Sequence, residues 1–266
     1  MWGPEPVRLC TVDGLFLAGA YYASVTDGPC YLLGHGFTGS CQTPGFRAVA
    51  EHLHGLGASV LAVSFRGHGQ SEGRSTVGVD EVRDLAAGLT WLAERRPGAP
   101  VITMGFSMGA SVVVRHAGLV SGIGTAAVSA DGCRPAAVVA ISGPGRWYER
   151  GTTPMRRVNL GLETVLGRQV LRWAFRTRIG RGWDLLPAAP VEVAPAITVP
   201  ALIVHGSDDP YFGLAHPRML ASAIPGAELW IEPGMGHAEN ATGTELLDRI
   251  DGWARRALTA SGTMGR

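Results

Sequence analysis

The sequence contains no lysine: all 23 basic residues are arginine, and 22 acids leave a formal charge of +1 over 266 residues. No stretch approaches the roughly 20 consecutive apolar residues that a membrane helix needs. The opening Met-Trp-Gly-Pro-Glu-Pro-Val-Arg lacks both the basic flank and the apolar run of a secretory leader. The four cysteines, Cys10, Cys30, Cys41 and Cys133, include no Cys-x-x-Cys pair, which argues against a zinc site or a redox dithiol. His52 and His54 stand two positions apart and so point to different faces of a helix, a poor start for a metal site. Repeats, low-complexity tracts and interdomain linkers are all missing. Near-balanced charge with sparse aromatic interleaving excludes a nucleic-acid surface. What remains is one domain, residues 1–266, expected to be soluble and cytoplasmic, with neither metal nor organic cofactor. Its 46% hydrophobic content is ample for a buried core.

Gly and Pro separate alternating apolar runs and helical patterns. Val7 to Val12 and Leu15 to Tyr22 flank Asp13-Gly14, a dipeptide that favours a tight hairpin. Thereafter Cys30 to Leu33, Val60 to Val63, Val101 to Gly105, Ala136 to Ile141, Ala201 to Val204 and Glu228 to Ile231 read as strands covered on both faces. Helices are expected at Gly45 to Leu56, Val79 to Arg95, Met108 to Ala117, Ala215 to Ala223 and Thr244 to Leu258. The alternation predicts an α/β fold, a mostly parallel sheet of about eight strands with helices on both faces.

From Ser142 to Val199 the rhythm breaks for 58 residues, far more than a plain crossover requires. Leu160 to Phe175 reads there as amphipathic helix, and residues 144–198 as a small helical lid inserted in the domain. Nine arginines fall between Arg146 and Arg181 against only Glu149 and Glu163, a local formal charge of +7.

Gly105-Phe106-Ser107-Met108-Gly109 joins a strand to a helical pattern, the setting of a nucleophile elbow in which small residues permit a sharp turn beneath an exposed serine. Four more segments surround it in order. They are Leu33-Gly34-His35-Gly36-Phe37-Thr38-Gly39-Ser40, Ser64-Phe65-Arg66-Gly67-His68-Gly69-Gln70-Ser71, Leu202-Ile203-Val204-His205-Gly206-Ser207-Asp208-Asp209-Pro210 and Pro233-Gly234-Met235-Gly236-His237. Together, from Leu32 to His237, they resemble the α/β-hydrolase superfamily.

The resemblance implies an α/β-hydrolase fold with a triad of Ser107, Asp209 and His237, in the chain order of that superfamily. Asp209 is preferred by its spacing from the strand, with Asp208 the adjacent alternative. The backbone N–H groups of Phe37 and Met108 are implied as an oxyanion hole, with His35 ordering the loop. Ser64 departs from the family's Asp-x-Arg-Gly-x-Gly-x-Ser pattern and removes a structural carboxylate. His116 and His205 are expected in the core, and His68 and His216 in solvent.

Trp173 and Phe175 are expected to face the substrate pocket, with Trp147, Tyr148, Tyr211 and Phe212 as further wall residues. The implied activity is that of a serine esterase or thioesterase acting on a small-molecule ester or thioester. The alternatives are a biosynthetic thioesterase, acyltransferase or cyclase, and a non-catalytic hydrolase-like binding protein. The arginines are either a solvated face or an attractor for an anion, such as coenzyme A, an acidic carrier protein or an anionic membrane surface.

Overall fold

Asp13-Gly14 reverses the chain between β1 (Glu5–Cys10) and β2 (Phe16–Tyr22), with Gly14 N–H donating to Thr11 O at 2.9 Å. The two strands pair antiparallel from Cys10 opposite Phe16 to Glu5 opposite Tyr21. They lie at one edge of a sheet completed by β3 (Cys30–Gly34), β4 (Ser59–Val63), β5 (Val101–Phe106), β6 (Ala137–Ile141), β7 (Ala201–Gly206) and β8 (Glu228–Glu232). The order is β1-β2-β4-β3-β5-β6-β7-β8, and every pair beyond β2–β4 is parallel. This computed structural model describes residues 3–122, 133–147, 149–180 and 187–262.

Strands β3 to β7 are buried at every position, which is why their sequences lack polar alternation. The helices, in chain order, are α1 (Pro44–Gly55), α2 (Glu81–Arg95), α3 (Met108–Ser121), α4 (Thr153–Glu163), α5 (Val165–Phe175), α6 (Pro190–Val193), α7 (Ala215–Ala223) and α8 (Thr244–Ala260). Leu85 and Leu89 of α2, Val112 and Val113 of α3 and Leu220 of α7 share one core with Leu32. Phe46 and Leu53 of α1 and Ile250 and Trp253 of α8 share the other with Leu33. Adjacent residues of β3 thus feed opposite layers, as the period of two requires.

Between β6 and β7 the helical stretch expected over Leu160 to Phe175 is the end of α4 and the whole of α5. Thr164 is extended (φ −98°, ψ 149°) and its hydroxyl accepts the Gly167 N–H at 3.0 Å, so it ends one helix and caps the next. The chain then returns across the loop after β4. Thr177 bridges to His68 and Ile179 to Ser75, and the Arg178 guanidinium donates to the carbonyls of Gly73 and Ser71. Arg178 is therefore a fastening of this insertion. Tyr148 and Arg181 lie outside the described residues.

Candidate active site

Ser107 sits between β5 and α3 with φ 52° and ψ −113°, a conformation uncommon for a residue with a Cβ. Two close approaches enforce the turn. A Cβ on Gly105 would collide with the backbone of Gly109, and one on Gly109 with the carbonyl of Gly34. The Ser107 N–H donates to Ile141 O at 2.9 Å, tying the turn to the next strand.

His237 follows β8, and its Nε2 lies 2.9 Å from Ser107 Oγ. Its Nδ1 lies 2.7 Å from Oδ2 of Asp209, in the loop after β7. Asp209 Oδ1 accepts the N–H groups of Tyr211 and Phe212 at 2.8 and 3.1 Å. Burial acts to raise the Asp209 carboxyl. The hydrogen bond and charge of His237, with the two backbone donors, outweigh it and hold the group below the usual carboxylate range. Asp208 is exposed and accepts the Ser207 hydroxyl at 2.8 Å, away from the imidazole. The Tyr211 ring lies 4.3 Å from the His237 ring and Phe212 5.6 Å, so aromatic faces limit how far the imidazole can turn.

His35 is fully buried. Its Nε2 accepts the Phe65 N–H at 3.0 Å, which leaves Nδ1 to donate to Gly36 O at 2.7 Å. Burial and the neighbouring His68 push it well below the ordinary histidine range, consistent with a neutral ring that shapes the loop. The N–H groups of Phe37 and Met108 have no acceptor among the described residues, and both residues line the space beside Ser107. Met108 opens α3, where the first N–H groups have no intrahelical partner. Ser64, standing where the family has a carboxylate, accepts the Cys41 N–H at 2.9 Å, and its carbonyl accepts the Ser71 hydroxyl. The loop is braced further by Arg66, held between Asp84 and Asp13 at 2.7 and 2.8 Å.

Sequence reasoning missed Glu239. Ala238 takes φ 57° while its N–H donates to Ser142 Oγ, and this kink carries Glu239 to Gly36 in the loop after β3. A Cβ on Gly36 would stand 3.2 Å from Glu239 Oε2 and 3.4 Å from Ser107 Cβ. Burial raises the Glu239 carboxyl, partly opposed by the charge of His237 and by the N–H groups of Glu239 and Gly36. Its one signal in the sequence is a carboxylate two residues after His237.

A cavity of about 940 Å³ opens above Ser107, lined by His237, Glu239, the loop after β3 and α4–α5. Trp147, Tyr211, Phe212 and Phe175 are in its wall. Trp147 is steered by its Nε1–H to Pro187 O at 2.8 Å and by Arg115, 5.2 Å from the ring. Trp173 is not in the wall. Leu171 is the buried residue of α5, and Trp173, two positions on, is 79% exposed and points away from the cavity. His68 and His216 are likewise not in solvent. The returning Thr177 segment covers His68, and His216 accepts the Gly145 N–H while facing Glu149 at 3.1 Å.

The arginines of the insertion divide by what they touch. Arg146 and Arg157 line the cavity, Arg150 pairs with Glu163, and Arg168 donates to Leu162 O at 2.6 Å. Thr152 caps α4 by accepting the Met155 N–H, and its hydroxyl donates to Tyr211 O at 3.0 Å. Among the described residues no group of three or more His, Cys, Asp or Glu could hold a metal ion. No helix among them is long and apolar enough to cross a membrane.

An uncharacterised protein of Mycobacterium tuberculosis is 30% identical over 269 residues, covering 96% of this chain and 79% of its own length. An esterase of Pyrococcus furiosus shares the fold with a TM-score of 0.72 at 24% identity, over 95% of this chain and 92% of that one. An esterase of a Rhodococcus species does so at 0.64 and 19%, over 94% and 98%. The sequence model of the alpha/beta hydrolase family matches residues 31–248, a span that takes in the elbow, the oxyanion loop, Asp209 and His237. With fold, motif order and family match in agreement over that span, the chain belongs to the alpha/beta hydrolase family and is a hydrolase.

Proposed function

We propose that the protein is a serine hydrolase that cleaves small-molecule carboxylic esters or thioesters through an acyl-Ser107 intermediate. The observation that carries this reading is the continuous contact from Asp209 through His237 to Ser107. An Nδ1–H directed at Asp209 leaves the Nε2 lone pair facing the serine hydroxyl. As Ser107 Oγ bonds to the carbonyl carbon, its proton passes to Nε2 and the carbonyl electron pair moves to oxygen. The N–H groups of Phe37 and Met108 are suited to hold that oxygen. Collapse of the intermediate expels an alkoxide or thiolate, which takes the proton from Nε2. Water then repeats the sequence on the acyl-enzyme and releases a carboxylic acid. The apolar wall, with Trp147 and Tyr211, suits a hydrophobic acyl group, and the esterases that share the fold support an ester as substrate.

Arg146 and Arg157 in the wall favour a second reading, a thioester whose leaving group is anionic, as in a coenzyme A or carrier-bound acyl chain. Raised ionic strength separates the two, since it depresses turnover of the anionic thioester and spares a neutral ester. The test of the mechanism is a fluorophosphonate adduct located by mass spectrometry, followed by assays on p-nitrophenyl esters of increasing chain length. Labelling at Ser107, lost in Ser107→Ala together with turnover, is expected. An unlabelled Ser107 in active protein overturns the proposal.

A further inference from the structure

The exposed face of α4–α5 at the rim of the cavity combines two features that a water-facing surface does not need. Leu166, Val170 and Trp173 follow one another at i, i+4 and i+7 along α5, all exposed, with Val165, Phe175 and Leu160 exposed beside them. Contiguous exposed apolar groups of this kind mark a site of contact. Arg156, Arg157, Arg172 and Arg176 are exposed around them. The sole acid on these two helices, Glu163, is already held by Arg150. The patch also adjoins the cavity, because Leu160, Leu166, Val170 and Phe175 line its wall.

We propose that this face of α4–α5 seats on an anionic lipid surface, the apolar stripe entering the headgroup boundary and the arginines meeting lipid phosphates. An amphipathic helix with a basic polar border binds such a surface through buried apolar area and charge together. Trp173 suits that boundary, with a broad apolar ring and one N–H donor. A second copy of the chain is a poorer occupant, since apposing two such faces brings their arginines together. A soluble acidic protein answers the arginines but gives no reason for Val165 and Trp173, which do not line the cavity, to be bare. This inference concerns adhesion and stands whether or not Ser107 is the nucleophile.

The test is co-sedimentation with large vesicles of phosphatidylcholine, alone or mixed with phosphatidylglycerol, at low and high salt. Binding is expected on the mixed vesicles and is expected to weaken as salt rises. Arg156→Ala and Arg172→Ala are each expected to lower the partition coefficient roughly fivefold, and Trp173→Ser roughly tenfold or more. None of the three lines the cavity, so turnover of a soluble acetyl ester is expected to be unchanged, which also reports that the variants are folded. Three results overturn the proposal: no binding to the mixed vesicles, binding indifferent to all three substitutions, or a dimer that Trp173→Ser dissociates in sedimentation equilibrium.

Discussion

Asp209 Oδ2 lies 2.7 Å from His237 Nδ1, and the other carboxylate oxygen is fully engaged by the backbone of the residues that follow. The acid is thus held by its own loop and does not depend on the imidazole for its orientation. Asp209→Asn presents either an amide N–H to the Nδ1–H or a wrong tautomer to Ser107. It is expected to lower kcat/KM by about 10⁴-fold with little change in fold. Asp208→Asn, altering an exposed group bonded to Ser207, is expected to stay within roughly twofold of wild type. Parallel ester assays of the two variants decide the assignment.

Asp209 and Glu239 titrate in opposite directions, and stability is expected to show both. The folded value of Asp209 is lowered, so its contribution is present above the unfolded carboxylate range and is lost as pH falls through the depressed value. The folded value of Glu239 is raised, so its contribution is complete below the unfolded value and is lost as pH rises through the folded one. Glu239→Gln is therefore expected to raise Tm relative to wild type at pH 8 and not at pH 4. Calorimetry at the two values checks the sign, and a gain confined to pH 4 refutes it.

His116, inside α3, is fully buried with neither ring nitrogen hydrogen-bonded among the described residues, and burial pushes it down to about 4. The unfolded chain takes up this proton at higher pH than the folded one. Stability is therefore lost as pH falls from about 6.5 toward 4, by about 3 kcal/mol at most. His116→Leu removes the proton site and the unpaired polar atoms at once. The variant is expected to match wild type at pH 7 and to exceed it at pH 5 in urea unfolding. Equal acid sensitivity in both proteins rejects the assignment.

Gly105→Ala and Gly109→Ala each drive a Cβ into backbone, where no rotamer change gives relief. Both are expected to abolish soluble folded protein, as read by near-ultraviolet circular dichroism. Gly14→Ala has open space around it and only a positive φ of 79° to pay for, so it is expected to fold with a loss of about 1 kcal/mol.

The central strands were legible because burial on both faces leaves a mostly apolar run without polar alternation, and β3 to β7 are buried at every position although Ser59, Thr103 and His205 lie among them. The turns that carry Ser107 and His237 were legible because tight turns leave glycine in fixed places. Trp173 was misplaced because hydrophobicity marks which side chains avoid water in a closed core but does not say which apolar face of a surface helix finds a partner. His68 was misplaced because a Gly-rich loop ordinarily lies in solvent, and its cover comes from Thr177, over a hundred positions away. The break at Thr164 and the placement of Glu239 both turn on one backbone dihedral, at Thr164 and at Ala238, which composition and periodicity do not encode.

The Thr152 hydroxyl bonds to the carbonyl of Tyr211, and the Tyr211 N–H bonds to Asp209. The first turn of α4 and Asp209 are consequently two hydrogen bonds apart. A displacement of α4 wide enough to enlarge the cavity mouth must either break the Thr152 bond or pull the loop that holds Asp209. The Thr152–Tyr211 bond is thus a contact through which a movement of the first turn of α4 would be felt at Asp209.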